Sequence, residues 1–443
     1  MASPEWSSLL ALYQKTVCSG VLQYLQKQAG MKSRRGIYSA QVVLWLMIVQ
    51  RLQGRGTLAS AVQLLLQGGA DPLLADCRRV RRRRISSRAG GYCQARQKLP
   101  KLLCKQVSQE LVERLRVLLN AEQPEEQANV FVLDGSSLEL EHSTQLLCRY
   151  PPVPNQHGQS HWPVLRLVVM HDAETGLAQQ PCWGAMFGPE AVSEQALAEK
   201  AMDSLPERSV ILGDRNFGIF SIAYAAQQKG FGVVLRLTDV RARKLAGPIS
   251  QPGEYRFIWK PSRWDGGARR SWPEEAWVAG RLIAVRVGRG KSQHWLYIFT
   301  TLELSMDEIV ALYGRRWNIE TDLRSLKRTV RLHHINAKSE ATMEKEILMA
   351  VSAYNLVRAV MCLAARRSRL DPRQLSFSHV FNVVEAAWPK LINATGKQQH
   401  DQEFFKVLDI AAQCTLPKRR KQRAFPRLQW RRGGPLRFRK QEN

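Results

Sequence analysis

The sequence predicts an α/β protein: a mixed core preceded by a helical region and interrupted by a β-rich insertion. Three observations carry this. Apolar residues recur at helical spacing from the N-terminus to about residue 125, as in ALYQKTVCSGVLQYLQKQ and SAQVVLWLMIVQRLQ. From Asn129, short β-branched runs such as NVFVL, VLRLVVM, SVILG and GVVLRL alternate with helical stretches such as SEQALAEKAMDSL and FSIAYAAQQKG. Between 239 and 299 the rhythm changes to Gly- and Pro-spaced strands, EYRFIWKPS, WVAGRLIAVRVG and SQHWLYIFTT.

The N-terminal helices end where LASAVQLLLQGGADP runs into Gly-Gly and Pro. RRVRRRRISSRAGGYCQARQKLP follows, with Arg81, Arg82, Arg83 and Arg84 at its centre. A charge run of this kind is a solvated loop or a clamp on phosphate. VSQELVERLRVLL is a further amphipathic helix, and the whole of 1–125 is read as a DNA-binding domain. The core is read as 126–238 and 300–370, on either side of the insertion at 239–299. Residues 371–443 form a helical region and a tail, PKRRKQRAFPRLQWRRGGPLRFRKQEN, expected to be extended until it meets a partner.

Composition narrows the partner. The 443 residues are 44% hydrophobic, ordinary for a globular chain, but the formal charge is +28. Self-repulsion on that scale is tolerated when the partner is a polyanion, which makes nucleic acid the leading candidate. A membrane is not expected. VVLWLMIV at 42–49 falls far short of the ~20 residues needed to span a bilayer. MASPEWSSLL has no basic region and no signal-peptide core, so the expected location is the cytoplasm. Eight cysteines without a CxxC pair read as reduced packing residues rather than zinc ligands.

Acids at strand ends carry the chemistry. Asp134 follows VFVL and Asp214 follows VILG, at the carboxyl ends of buried strands where ligands collect in α/β sheets. Each alone fits a turn or helix cap equally well. Two close carboxylates repel unless a divalent cation neutralises both. Asp172 lies in DAETG and is assigned to a hairpin turn. The third acid comes from YGRRWNIETDLRSLKR. At about 100° per residue, Tyr313, Arg316, Glu320 and Lys327 fall on one helix face within roughly 60°, and Asp322 turns away. Glu320 is then either a surface partner of Arg316 or Arg324, or a metal ligand with basic neighbours free to grip phosphate. Together, Asp134, Asp214 and Glu320 would hold two metal ions for in-line phosphodiester chemistry.

At these residues the chain resembles transposases of the insertion-sequence 4 family, the DDE group that includes the enzymes of the composite transposons ten and five. The family's helical signature, Tyr, two residues, Arg, three residues, Glu, six residues, Lys, stands complete as Tyr313, Arg316, Glu320 and Lys327. LDGSSLEL resembles its first catalytic strand, with Ser136 where Thr is frequent, and ILGDRNFG its second. GGYCQARQKLP and EKEILMAVSAYNLVRAVM also resemble family segments, so the likeness spans roughly 80–370. It implies a ribonuclease-H-like core, Mg2+ or Mn2+ as two ions per site, and double-stranded DNA as substrate. It further implies homodimers that pair the two ends, a bacterial nucleoid-associated location, and excision commonly through a DNA hairpin. Tyr313, Arg316 and Lys327 become DNA contacts, and Trp295 the candidate aromatic for a flipped base, against a packed strand residue. Trp317 is assigned to the core. Rival readings are another ribonuclease-H-like nuclease and a non-catalytic repressor derived from a transposase.

Overall fold

A computed structural model describes residues 9–417, apart from 33–35, 54–55, 75–76, 83, 121–127, 156–157, 263–271, 289–292 and 394–395. Arg83, the expected boundary near 125 and nearly all of the basic tail lie outside the described residues. The N-terminal helices are α1 (Leu9–Thr16), α2 (Ser19–Gln28), α3 (Ala40–Leu52), α4 (Leu58–Leu66), α5 (Arg78–Arg81), α6 (Gly90–Lys98) and α7 (Lys101–Asn120). Then come β1 (Asn129–Glu139), α8 (Thr144–Arg149), β2 (Pro152–Asn155), β3 (Gly158–Asp172), β4 (Cys182–Ala185), α9 (Glu194–Ala201), β5 (Ser209–Gly213), α10 (Phe220–Gln228) and β6 (Gly232–Arg236). The chain continues through α11 (Asp239–Ala246), β7 (Gly253–Trp259), β8 (Val278–Val287), β9 (His294–Thr300), α12 (Met306–Gly314), α13 (Asn318–Arg324), α14 (Glu340–Arg367), α15 (Phe377–Asn393) and α16 (Gly396–Gln413).

The strands form one sheet in the order β2-β3-β1-β5-β6-β9-β8-β7, with β4 paired to β3. β1, β5 and β6 run parallel, and the other pairings are antiparallel. Alternation along each strand divides the core in two. Val132, Leu212, Val234 and Ile298 face the side covered by α14. Phe131, Leu133, Ile211, Val233 and Phe299 face α9, α10 and α11. Burial on both faces is why SVILG is apolar throughout instead of alternating. The 239–299 segment opens with a helix, and its strands prolong the core sheet through the β6–β9 pairing; they form no separate sheet.

The DAETG turn is built as its composition requires. Asp172 Oδ1 accepts from the amides of Glu174 and Thr175 and from the Thr175 hydroxyl, at 3.0, 2.6 and 2.8 Å. Gly176 takes a left-handed φ of 78° that a side chain would oppose.

The N-terminal helices share their core with the rest of the chain. α3, which holds the 42–49 run, is apolar on all sides and buried. Both α3 and α7 pack on α14. The longest apolar helix is in fact α14, with 94% of its most apolar window buried inside the protein. The two segments noted at 90–100 and 344–361 meet here. Glu346 accepts from Arg51 at 2.7 Å and from Arg96. Lys345 Nζ donates to the carbonyls of Arg96, Gln97 and Leu99 at 2.9, 3.1 and 2.8 Å, closing the C-terminal end of α6. Lys345→Met keeps the apolar stem and removes these donors. It is expected to cost about 1–3 kcal/mol, read as a lower urea midpoint. All eight cysteines are free; Cys104 and Cys362 are buried, whereas Cys148 is exposed rather than packed.

Candidate active site

Strand register sets the first two acids. β1 and β5 pair with Asn129 opposite Ser209 and Val132 opposite Leu212. Carried two residues further, the same offset puts Asp134 opposite Asp214, on neighbouring strands about 4.8 Å apart. Both follow the parity of Val132 and Leu212 and so belong to the α14 side of the sheet. Asp134 Oδ1 accepts from the Gly135 amide at 2.8 Å; because β1 runs on to Glu139, this acid lies inside a strand, and neither at the strand end that the sequence predicts nor in a turn. Asp214 Oδ1 accepts from the Asn216 amide at 2.8 Å, the turn role open to it. Burial pushes the Asp134 carboxyl up to about 6, with Asp214 and Glu194 adding to the rise against the Gly135 amide and Arg316.

That shift has a sign. An acid raised on folding costs stability once pH exceeds its native value, and the cost disappears below its unfolded value. Asp134→Asn is therefore expected to raise the thermal midpoint of the cation-free protein at pH 7, with the gain shrinking as pH falls below about 6. A lower midpoint at pH 7 would contradict the burial assigned to Asp134.

The third acid sits on an irregular helix. α12 begins with a capping box between Ser305 and Glu308, then tightens to a 3-10 turn at Arg315–Trp317. α13 follows and widens into a π-helical turn at Ser325–Thr329. A 3-10 turn advances about 120° per residue and a π turn less than an α-helix, so the single face predicted from uniform spacing does not survive. Tyr313 and Arg316 are buried, at 4% and 6% exposure. The Arg316 guanidinium lies 5.9 Å from the Tyr313 ring centre and 4.7 Å from that of Trp317. Arg316 is thus a buried counter-charge beside Asp134, not a free surface cation, and among the described residues its Nε has no hydrogen-bond partner. Burial raises the Tyr313 phenol against the pull of Arg316 and Arg236. Trp317, assigned to the core by sequence, is 58% exposed.

Glu320 is exposed, and among the described residues it makes no ion pair, with Arg316, Arg324 or any other group. It lines a groove of about 470 Å³ with Ser137, Glu139, Arg324, Lys327 and Arg328. Lys327 Nζ donates to Ser136 Oγ and to the Ser137 carbonyl, both at 2.9 Å, and so pins the π turn to β1 just beyond Asp134. Burial lowers the Lys327 ammonium, and Arg328 lowers it further. Strand register brings two of the three expected acids side by side, and the third lines a groove that neither of them lines. Among the described residues no three His, Cys, Asp or Glu side chains are close enough to share a metal ion. Asp322 turns away as predicted, into a buried pair with Arg358 and Arg373.

The other predicted contacts divide. Trp295 is half-buried on β9, stacked on Tyr297 at 5.8 Å, with Arg286 4.9 Å from its ring centre. Arg82 and Arg84 are exposed, and Arg81 ends α5. Sequence reasoning missed Glu194. It opens α9 behind the Ser193 cap, and its Oε2 accepts from Asn216 Nδ2. Burial raises its carboxyl, Asp214 adds to the rise, and Arg166 and Asn216 oppose it. An acid in the first turn of a helix reads as a dipole partner; the overlooked signal was Gly135 directly after Asp134.

The sequence is similar to known transposases. Residues 125–356 match the family described as "Transposase DDE domain". Over 257 residues, 55% of each chain, the sequence is 27% identical to "Transposase InsG for insertion sequence element IS4" of Escherichia coli (strain K12). The chain thus spans about half the length of this curated relative. Among solved structures it is similar to a piggyBac transposase synaptic complex with hairpin DNA, at a TM-score of 0.46 and 10% identity, over 94% of this chain and 87% of that one.

Proposed function

Because the family match covers just over half of its length, the chain belongs to the transposase DDE domain family, and we propose that it is the DNA transposase of an insertion sequence, cutting at terminal inverted repeats and joining the ends to target DNA. The observation that carries this is the register that sets Asp134 beside Asp214 under the buried Arg316. The order β4-β3-β1-β5-β6, antiparallel at one end and parallel at the other, supports a ribonuclease-H-like core.

The three acids are of the donor type that a divalent ion takes, although the protein alone does not gather them around one point. Carboxylate oxygens from Asp134, Asp214 and Glu320 suit Mg2+ or Mn2+. When bound, two such ions activate a water or 3′-hydroxyl and stabilise the departing oxygen. The chain's own groups supply the rest. Arg316 balances Asp134 from within the protein, and Lys327 fixes β1 against the helix that carries Glu320. The exposed Arg324 and Arg328 flank the groove and are assigned to backbone phosphate, as are Arg82 and Arg84. The working form is a cytoplasmic, nucleoid-associated homodimer that pairs two ends, with excision through a hairpin.

The test is incubation of the full chain with DNA carrying the element's ends, in Mg2+ and in EDTA. The expected result is Mg2+-dependent cleavage leaving 3′-hydroxyl ends that are then joined to a second DNA. Cleavage without joining would identify a nuclease, and binding without cleavage a repressor. Binding itself is expected to weaken with salt at a log–log slope near −0.9 per phosphate neutralised, and a flat dependence would remove the arginine contacts.

A further inference from the structure

We propose that a cavity between the N-terminal helices and α14 holds a backbone phosphate of the bound DNA, separately from the groove that Glu320 lines. The inference rests on the reading of this chain as an enzyme that works on DNA, and adds a binding site to it.

The cavity has a volume of about 470 Å³, and its walls come from α3, the start of α4, α6, the segment 334–338 and the first turns of α14. Its charge is one-sided. Arg51, Arg96 and Lys338 line it, and Glu346 is the one carboxylate among the described lining residues. Glu346 is already shared by Arg51 and Arg96. Arg96 is buried and bonds Glu346 through NH2, and its Nε meets no acceptor among the described residues. Burial lowers the Arg51 guanidinium from its ordinary value and Arg96 lowers it further, against the pull of Glu346. Two guanidinium groups on one carboxylate leave positive charge uncompensated inside the protein, which is costly until an anion enters. Lys338 is exposed and makes no ion pair among the described residues.

α14 adds its dipole. Ser339, the N-cap residue, lines the cavity but turns its hydroxyl to Thr342 Oγ1 at 2.9 Å instead of capping the helix. Glu340, the acid of the first turn, is drawn off by Arg149 and Tyr150. The amide end of a 28-residue helix is therefore left without a side-chain cap beside a set of cations, an arrangement suited to phosphate. DNA is the source because cavity and groove are neighbours: His333 lines the groove and His334 the cavity. Arg51 NH1 donates to the carbonyls of Arg331 and His334 at 3.1 and 3.0 Å, so a guanidinium of the cavity wall also braces the turn between the two. A strand that leaves the groove past His333 meets the cavity next.

Binding of end DNA to the full chain across a salt series, in EDTA so that nothing is cut, tests this. Lys338→Gln is expected to weaken binding about fivefold or more and to reduce the log–log salt slope by about 0.9, the loss of one phosphate contact. Cys93→Phe, which fills the cavity from α6 and changes no charge, is expected to lower the slope by the same amount. Urea midpoints of both variants, compared with wild type, separate loss of affinity from loss of fold. Inorganic phosphate is the second ligand. If it raises the thermal midpoint of wild type and not of Lys338→Gln, while both bind DNA alike, the cavity takes free phosphate and the DNA contact is overturned. If both variants bind DNA with the affinity and slope of wild type, the cavity holds no DNA phosphate, and the reading of the chain as a DNA-cutting enzyme stands. If wild type does not bind end DNA, that reading and this inference both fall.

Discussion

Glu320→Gln is expected to lower Mg2+-dependent strand cleavage by about 10³-fold or more while changing DNA binding by no more than about twofold. The asymmetry follows from its surroundings. Glu320 is exposed and makes no ion pair among the described residues, so an isosteric amide costs the fold nothing. The groove keeps Arg324, Lys327 and Arg328, which carry its positive charge. What disappears is one anionic ligand for a cation whose charge stabilisation in the transition state is worth several kcal/mol, and each ~1.4 kcal/mol is tenfold in rate. Cleavage and gel-shift assays on the same end DNA separate the two quantities. A variant that cuts at the wild-type rate would remove Glu320 from the reaction.

The largest stability effect is expected two residues along, at Asp322→Asn. Asp322 is fully buried and accepts from Arg358 NH2 and from Arg373 NH1 at 2.9 and 2.7 Å. Arg358 Nε also donates to the Tyr354 hydroxyl at 2.8 Å, and Arg373 reaches the carbonyls of Ala173 and Asp172 at 2.9 and 2.5 Å. Removing this anion leaves two buried guanidinium groups without their shared acceptor. The cost is about 3–5 kcal/mol, measured by urea denaturation at pH 7. Burial opposes ionisation of Asp322, but Arg358, Arg373 and His171 outweigh it and hold the carboxyl below the usual range. A depressed native value contributes stability above the unfolded value near 3.9 and loses it as pH falls through the native one. The difference between variant and wild type should therefore shrink only below about pH 4. A cost under about 1 kcal/mol at pH 7 would show that this network does not hold α13 in place.

The aspartates could be singled out because each follows an apolar run, and parallel pairing sets those runs side by side; that β1 continues past Asp134 to Glu139, so that this acid is inside a strand and not at its end, was not legible. The helix that bears Glu320 was legible as a helix but not in its azimuth. The turns at Arg315–Trp317 and Ser325–Thr329 alter the angle per residue, and no residue pattern announces them. They bury Arg316 and expose Trp317, the reverse of the sequence expectation. The β-rich 239–299 segment was visible as strands, but the hydrogen bonding of Val234 to Thr300 across sixty-odd residues is a long-range choice that local composition does not reveal. The close approach of Glu194 to Gly135, far apart in the sequence, was hidden for the same reason.

The shared burial of α14 has a practical consequence for dissecting this chain. α3 and α7 lie against it from one side, α15 and α16 from another, and Glu346 and Lys345 anchor α3 and α6 through bonds that water would otherwise claim. A truncated chain that starts at residue 126 would bare a long greasy rod and strand a lone anion. The N-terminal helices and the core, read as separate domains in the sequence, are therefore inseparable as fragments, and loss of residues 1–125 should give aggregate rather than a folded core.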